Sequence, residues 1–106
     1  MKFFVEVAAP ADKGAAIDAA GGPGPIVGEI MQRFHPEAFY GSADARTLRF
    51  VAELPTALDV AILMELCSDR LYAYPVLRPV IPIAEMQEFV TKVHAAVPHT
   101  ESAAAH

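Results

Sequence analysis

The stretch F34-HPEAFYGSADARTLRFVAELPTALDVAILMELCSDRLYAYPVLRPV-I81 decides the fold. Residues 37–42 have the composition of a strand, SADA at 42–45 that of a turn, and RTLRFVAEL at 46–54 alternates as a strand does. Pro55 and Thr56 open a helix over 57–70. Its apolar residues make two stripes: Val60, Leu63, Met64 and Cys67 on one side, Leu58, Ile62 and Leu66 on another. A helix with two apolar faces calls for two neighbours. The stretch closes with a strand over 74–81, where Pro75 and Pro79 exclude a central place in a sheet.

Working outward, KFFVEVA at 2–8 reads as the first strand, ended by Pro10. A short helix is predicted over 11–20, then GGPGP at 21–25 breaks it, because glycine is costly inside a helix and proline lacks the amide hydrogen. A second helix starts at Pro25 and runs to Phe34 on Ile26, Ile30, Met31 and Phe34; Pro36 disfavours helical geometry at His35 and stops it. Beyond the last strand, Ile83, Met86, Val90, Val93 and Val97 predict a helix over 83–97, expected to dock on the second stripe of the 57–70 helix or on a partner subunit. Residues 1–97 form a single domain on this reading, and 98–106 a disordered tail.

The order β-α-β-β-α-β predicts an α+β fold of the ferredoxin-like kind with an added C-terminal helix, the first and third strands lying antiparallel in the middle. One register suits both. With Phe4 opposite Val51, Lys2 meets Glu53 and Glu6 meets Arg49 on one face; Phe3, Val5 and Val7 meet Ala52, Phe50 and Leu48 on the other. A shift of one residue would turn the charges towards the helices. The last strand adds Val76, Arg78 and Val80 to the charged face, with Arg78 close to Glu6. Such a face is either solvated, as antiparallel sheets allow, or the floor of a homodimer interface; its apolar content and the doubly apolar helix favour the homodimer.

Composition narrows the function. Of 106 residues 54% are hydrophobic and 20% charged, which suits a folded chain. The net charge of −5, with basic residues scattered, excludes a nucleic-acid partner on this reading. No run is apolar enough for a signal peptide or a membrane span, and a cytoplasmic location is expected. Cys67 is the only cysteine, so no internal disulfide forms and no cysteine-based metal site; its place in an apolar stripe makes it a buried structural thiol. His94, His99 and His106 lack metal-ligand spacing. GGPGP before a helix lacks the lysine of a P-loop and the spacing of a dinucleotide fingerprint, leaving a flexible break or lid hinge. No metal or cofactor is expected.

Three residues are candidates for chemistry. His35 has the intrinsic pKa of a general acid or base, although capping the preceding helix accounts for it more simply. Arg49 could bind a carboxylate or enolate while Tyr40 donates a hydrogen bond; the plainer alternative pairs Arg49 with Glu6 and packs Tyr40 on the sheet.

The runs GPIVGEIMQRFHPEAFY, ADARTLRFVAEL and LYAYPVLRPVIPIAEM, within residues 24–86, resemble small bacterial proteins of the dimeric α+β barrel superfamily and, distantly, muconolactone isomerase-like proteins. Pro36, Glu37, Ala38 and Tyr40 fit a Pro-Glu-Ala-aromatic run after a helix; Arg46 and Thr47 fit a hairpin turn; Pro79, Val80 and Glu85 fit the passage from last strand to acidic helix start. Ala45 stands where that pattern has a turn glycine, and Ile81-Pro82 replaces a methionine. The resemblance implies a dimer. It also points to a cofactor-free isomerase, cyclase or monooxygenase-like protein acting on a hydrophobic carbonyl or aromatic compound; no catalytic motif of the superfamily is matched, and His35, Tyr40 and Arg49, read from the residues themselves, would be its polar residues. The alternative is a non-catalytic dimeric structural or regulatory protein.

Overall fold

Strand β1 (Lys2–Ala8) is the first element of a computed structural model that describes residues 1–97. A 3-10 turn at Ala11–Lys13 leads into α1 (Gly14–Ala19), and α2 (Gly24–Phe34) follows. The hairpin of β2 (Ala38–Gly41) and β3 (Thr47–Glu53) comes next, then α3 (Ala57–Leu71) and β4 (Val76–Pro79). A second 3-10 turn at Ile83–Glu85 introduces α4 (Met86–Ala96). The tail expected over 98–106, with His99 and His106, lies outside the described residues.

The four strands form one antiparallel sheet in the order β2-β3-β1-β4, so the fold is α+β with β1 and β3 in the centre. The β1–β3 register is the one read from the sequence: Phe4 faces Val51, Lys2 faces Glu53 and Glu6 faces Arg49. Complementary pairing on both faces at once leaves no other even register equally good, and an odd one would bury charge. β4 is an edge strand, as Pro79 requires, but shorter than expected, with Pro75 just outside it.

Helices cover one face only. Val5, Val7, Leu48, Phe50 and Ala52 point into a single core with Ile26 and Ile30 of α2 and Leu63, Cys67 and Leu71 of α3. Phe39 of β2 joins through a tilted ring contact with Phe50, centroids 5.2 Å apart. Glu29 of α2 takes both Arg33 and Arg70, at 3.3 and 3.0 Å, tying α3 to α2 at the surface. α3 begins with a reciprocal cap: Thr56 Oγ1 accepts from the Asp59 N–H, and the Asp59 carboxylate accepts from the Thr56 N–H at 3.0 Å. Of α2's predicted stripe, Met31 is exposed; Val27 takes its place against the core. GGPGP is a hydrogen-bonded joint closing α1, with Gly21 and Gly22 at φ of 106° and 75° and their N–H groups donated to Asp18 and Ile17 carbonyls.

Of the two docks expected for the last helix, the second stripe of the 57–70 helix is not the one used within the chain. α4 buries none of its side chains, and it packs chiefly on the 3-10 turn from which it springs. Pro82 fixes the backbone where the chain leaves the β4 edge, and α4 is carried away from α3. The molecule is therefore 58 × 28 × 26 Å, with a radius of gyration of 17.8 Å where a compact domain of this length has about 13 Å. Among the described residues, no helix is long and apolar enough to cross a membrane.

Candidate functional site: the open sheet face

Alternation along the strands puts Phe4, Val51 and Val76 on the face without helices, among Lys2, Glu6, Tyr40, Arg49 and Arg78. Two rows cross it. Tyr40, Arg49, Glu6 and Val76 form one, each opposite the next on the neighbouring strand; Ala38, Val51, Phe4 and Arg78 form the other.

The structure brings two of the three candidate residues together. Tyr40 lies directly opposite Arg49, and 71% of Tyr40 is exposed. Arg49 Nε donates to Glu6 Oε2 at 2.6 Å, so its charge is matched within the sheet. His35 stands apart. It is the exposed C-cap of α2 with a left-handed backbone, φ 46°, its N–H donated to the Met31 carbonyl. Between it and Tyr40, Glu37 already joins the ladder by donating its N–H to Val51. The helix-capping account of His35 fits this position.

The other expected charge pair is redistributed. Lys2 and Glu53 are opposite in register, yet Lys2 Nζ reaches Glu37 at 3.0 Å and Glu53 takes the Met1 amino group at 2.6 Å. A long flexible stem lets lysine choose the carboxylate it meets first. Arg78 faces Phe4, and the Glu6 carboxylate that it was expected to approach is held by Arg49. Arg78 is thus an exposed guanidinium with no ion-pair partner among the described residues. The sequence placed it on this face close to Glu6 but not as an anion site; the signal was that Glu6, already opposite Arg49, could not serve both arginines.

Behind β2 an apolar groove of about 380 Å³ runs between α2 and the hairpin, floored by Val27, Met31, Phe39 and Leu48 with Tyr40 at its rim. The hairpin is closed by Ser42 and Asp44: the Ser42 hydroxyl donates to the Asp44 carboxylate, which also accepts the Arg46 N–H at 3.1 Å. The Ser42 hydrogen bond, then that of Arg46, holds the Asp44 carboxyl below its ordinary value. Ala45 in the turn has φ of 60°, a left-handed conformation that favours glycine.

No buried polar or charged side chain occurs among the described residues, and no group of three His, Cys, Asp or Glu there could hold a metal ion. Cys67 is fully buried, and desolvation pushes its thiol up to about 11, so it is a packing residue and not a nucleophile. Comparison with protein-family models, with curated proteins and with solved structures gave no match.

Proposed function

We propose that the chain is a ferredoxin-like domain that dimerises through its open sheet face, as dimeric α+β barrels do, and binds there a hydrophobic aromatic carbonyl or carboxylate compound without a cofactor. The observation that carries this reading is the free guanidinium of Arg78 beside an apolar floor of Phe4, Val51 and Val76. An aromatic body buries its surface on that floor, and an unpaired arginine takes a carboxylate or enolate oxygen through two parallel N–H donors. Arg49 is less suited, being committed to Glu6. Three strand spacings, about 14 Å, separate β2 from β4, so Tyr40 does not share a small ligand with Arg78 of the same chain. The strand order and the resemblance of residues 24–86 support the fold part of the reading. If the ligand is turned over, that resemblance points to isomerase, cyclase or monooxygenase-type chemistry.

The test is titration calorimetry with 2-naphthoate and with 2-acetylnaphthalene. Wild type is expected to bind both. Arg78→Ala should weaken the carboxylate about tenfold or more, as loss of a charge-assisted hydrogen bond does, and the ketone less. No heat from either compound at millimolar concentration, or equal loss for both, overturns the reading.

The exposed apolar side of α4 favours a second reading, a non-catalytic dimeric interaction protein. Binding of neither naphthalene by a chain that still dimerises would select it.

A further inference from the structure

The least explained feature of the molecule is α4. Ile83, Met86, Phe89, Val90, Val93 and Val97 are between 37 and 84% exposed, and they line one side of the helix and the turn before it. The opposite side carries Glu88 and Lys92, paired at 3.2 Å, and Ala95. With free side chains of this size presenting on the order of 150–200 Å², the stripe leaves about 500 Å² of apolar surface in water. That reaches the upper end of what an ordinary monomer exposes in one patch. It also continues into a groove of about 360 Å³ at the sheet's end, lined by Met1, Pro79, Val80, Ile81, Met86 and Phe89.

We propose that α4 pairs antiparallel with α4 of a second copy of this chain. Two stripes face to face remove about 1,000 Å² from water, the threshold of a specific interface, and the grooves add to it. In this arrangement Val90 meets the second copy's Val93, and Met86 meets its Val97. The C-terminal half of each helix then lies along the groove at the base of the other, which fills both grooves by one two-fold operation. The helix dipoles oppose. A lipid surface fits less well: residues 85–97 hold two glutamates and one lysine, where a helix lying on anionic lipid carries mostly Lys and Arg. This pairing shares with the sheet-face dimer only the identity of the partner, and uses a different surface.

Sedimentation velocity on the full chain and cysteine trapping test it. Native Cys67 is buried and does not interfere. Met86→Cys and Val97→Cys proteins, mixed and oxidised, are expected to cross-link to each other and scarcely to themselves. Eleven residues of helix, about 16 Å, separate like positions in an antiparallel pair, beyond disulfide reach. Ala95→Cys, on the back of α4, sets the rate of chance collision. Because α4 supports no core, Phe89→Glu should leave the circular-dichroism spectrum unchanged and raise the dissociation constant at least 100-fold. Mixed cross-linking no faster than Ala95→Cys, self-linking of Met86→Cys, or a dimer indifferent to Phe89→Glu overturns the α4 pairing. Val76→Lys separates the two readings, since it places charge on the sheet face opposite Glu6 and leaves α4 intact. A dimer broken by Val76→Lys but not by Phe89→Glu keeps the sheet-face reading and removes this one; the converse keeps this one alone. A wild-type monomer at all concentrations removes both.

Discussion

Breaking the Glu6–Arg49 pair measures both the register of the central strands and the surroundings of the sheet face. The two groups are 2.6 Å apart, with side chains 33% and 45% exposed. Opposite unit charges at that distance attract by about 1.6 kcal/mol in bulk water. Ordering two long side chains, together with counterion screening, reduces pairs of this exposure to about 0.2–1 kcal/mol. A double-mutant cycle with Glu6→Gln, Arg49→Gln and the double variant, followed by urea unfolding at about 1 μM chain, should therefore give a coupling near 0.7 kcal/mol in about 0.02 M salt. In about 0.5 M salt it should fall by half or more. Once a second copy covers the face, the coupling should rise to about 2 kcal/mol and lose its salt dependence, because water no longer screens the pair. Zero coupling at both salt concentrations would refute the reasoning, since the pair would then contribute nothing to the register. A salt-sensitive coupling that does not change between dilute and concentrated chain would refute the covered face.

Four further outcomes are expected. Phe50→Ala should cost about 3–5 kcal/mol in urea unfolding, a large part of the whole stability of a domain this size, because the ring is 1% exposed and supports Phe39. Thr56→Ala should cost about 1 kcal/mol by removing the hydroxyl that accepts the Asp59 N–H, while the residue-56 N–H still reaches the Asp59 carboxylate; Thr56→Ser should retain most of the cap. Ala45→Gly should stabilise by about 0.5 kcal/mol, read as a raised urea midpoint: relief of a left-handed alanine, about 1–2 kcal/mol, outweighs the added freedom of the unfolded chain. The folded Cys67 thiol keeps its proton to about pH 11 against 9.0 when unfolded, so its contribution is complete below pH 9 and is lost as pH rises towards 11. The loss is on the order of 2 kcal/mol, and thermal unfolding of Cys67→Ala should show a correspondingly shallower alkaline decline than wild type.

The central sheet was legible because its information is local and redundant. Glu6 and Arg49, Phe4 and Val51, Val5 and Phe50 all agree on one register, and a strand shows each side chain to a definite face. Prolines 36, 75 and 79 marked where the second helix stops and which strand lies outermost, since a missing N–H acts wherever the chain goes. The candidate site was legible only in part. Tyr40 and Arg49 meet because they are one cross-strand step apart, a relation that alternation supplies. The Glu6–Arg49 pair follows from the same register, whereas the sequence put Arg78 close to Glu6, and only the β1–β4 pairing sets it opposite Phe4 and outside that pair.

The amino-acid order by itself determined the order of strands and helices, the register of the central pair, the end of the second helix at Phe34 and the amphipathic character of residues 83–97, because each rests on backbone chemistry or side-chain periodicity within a few residues. Only the tertiary structure decided that α4 leaves the domain uncovered and that Lys2 prefers Glu37 to its register neighbour Glu53. Those outcomes depend on the direction of the chain beyond Pro82 and on distances between side chains far apart in sequence, and an apolar stripe carries the same periodicity whether its cover comes from its own chain or from another.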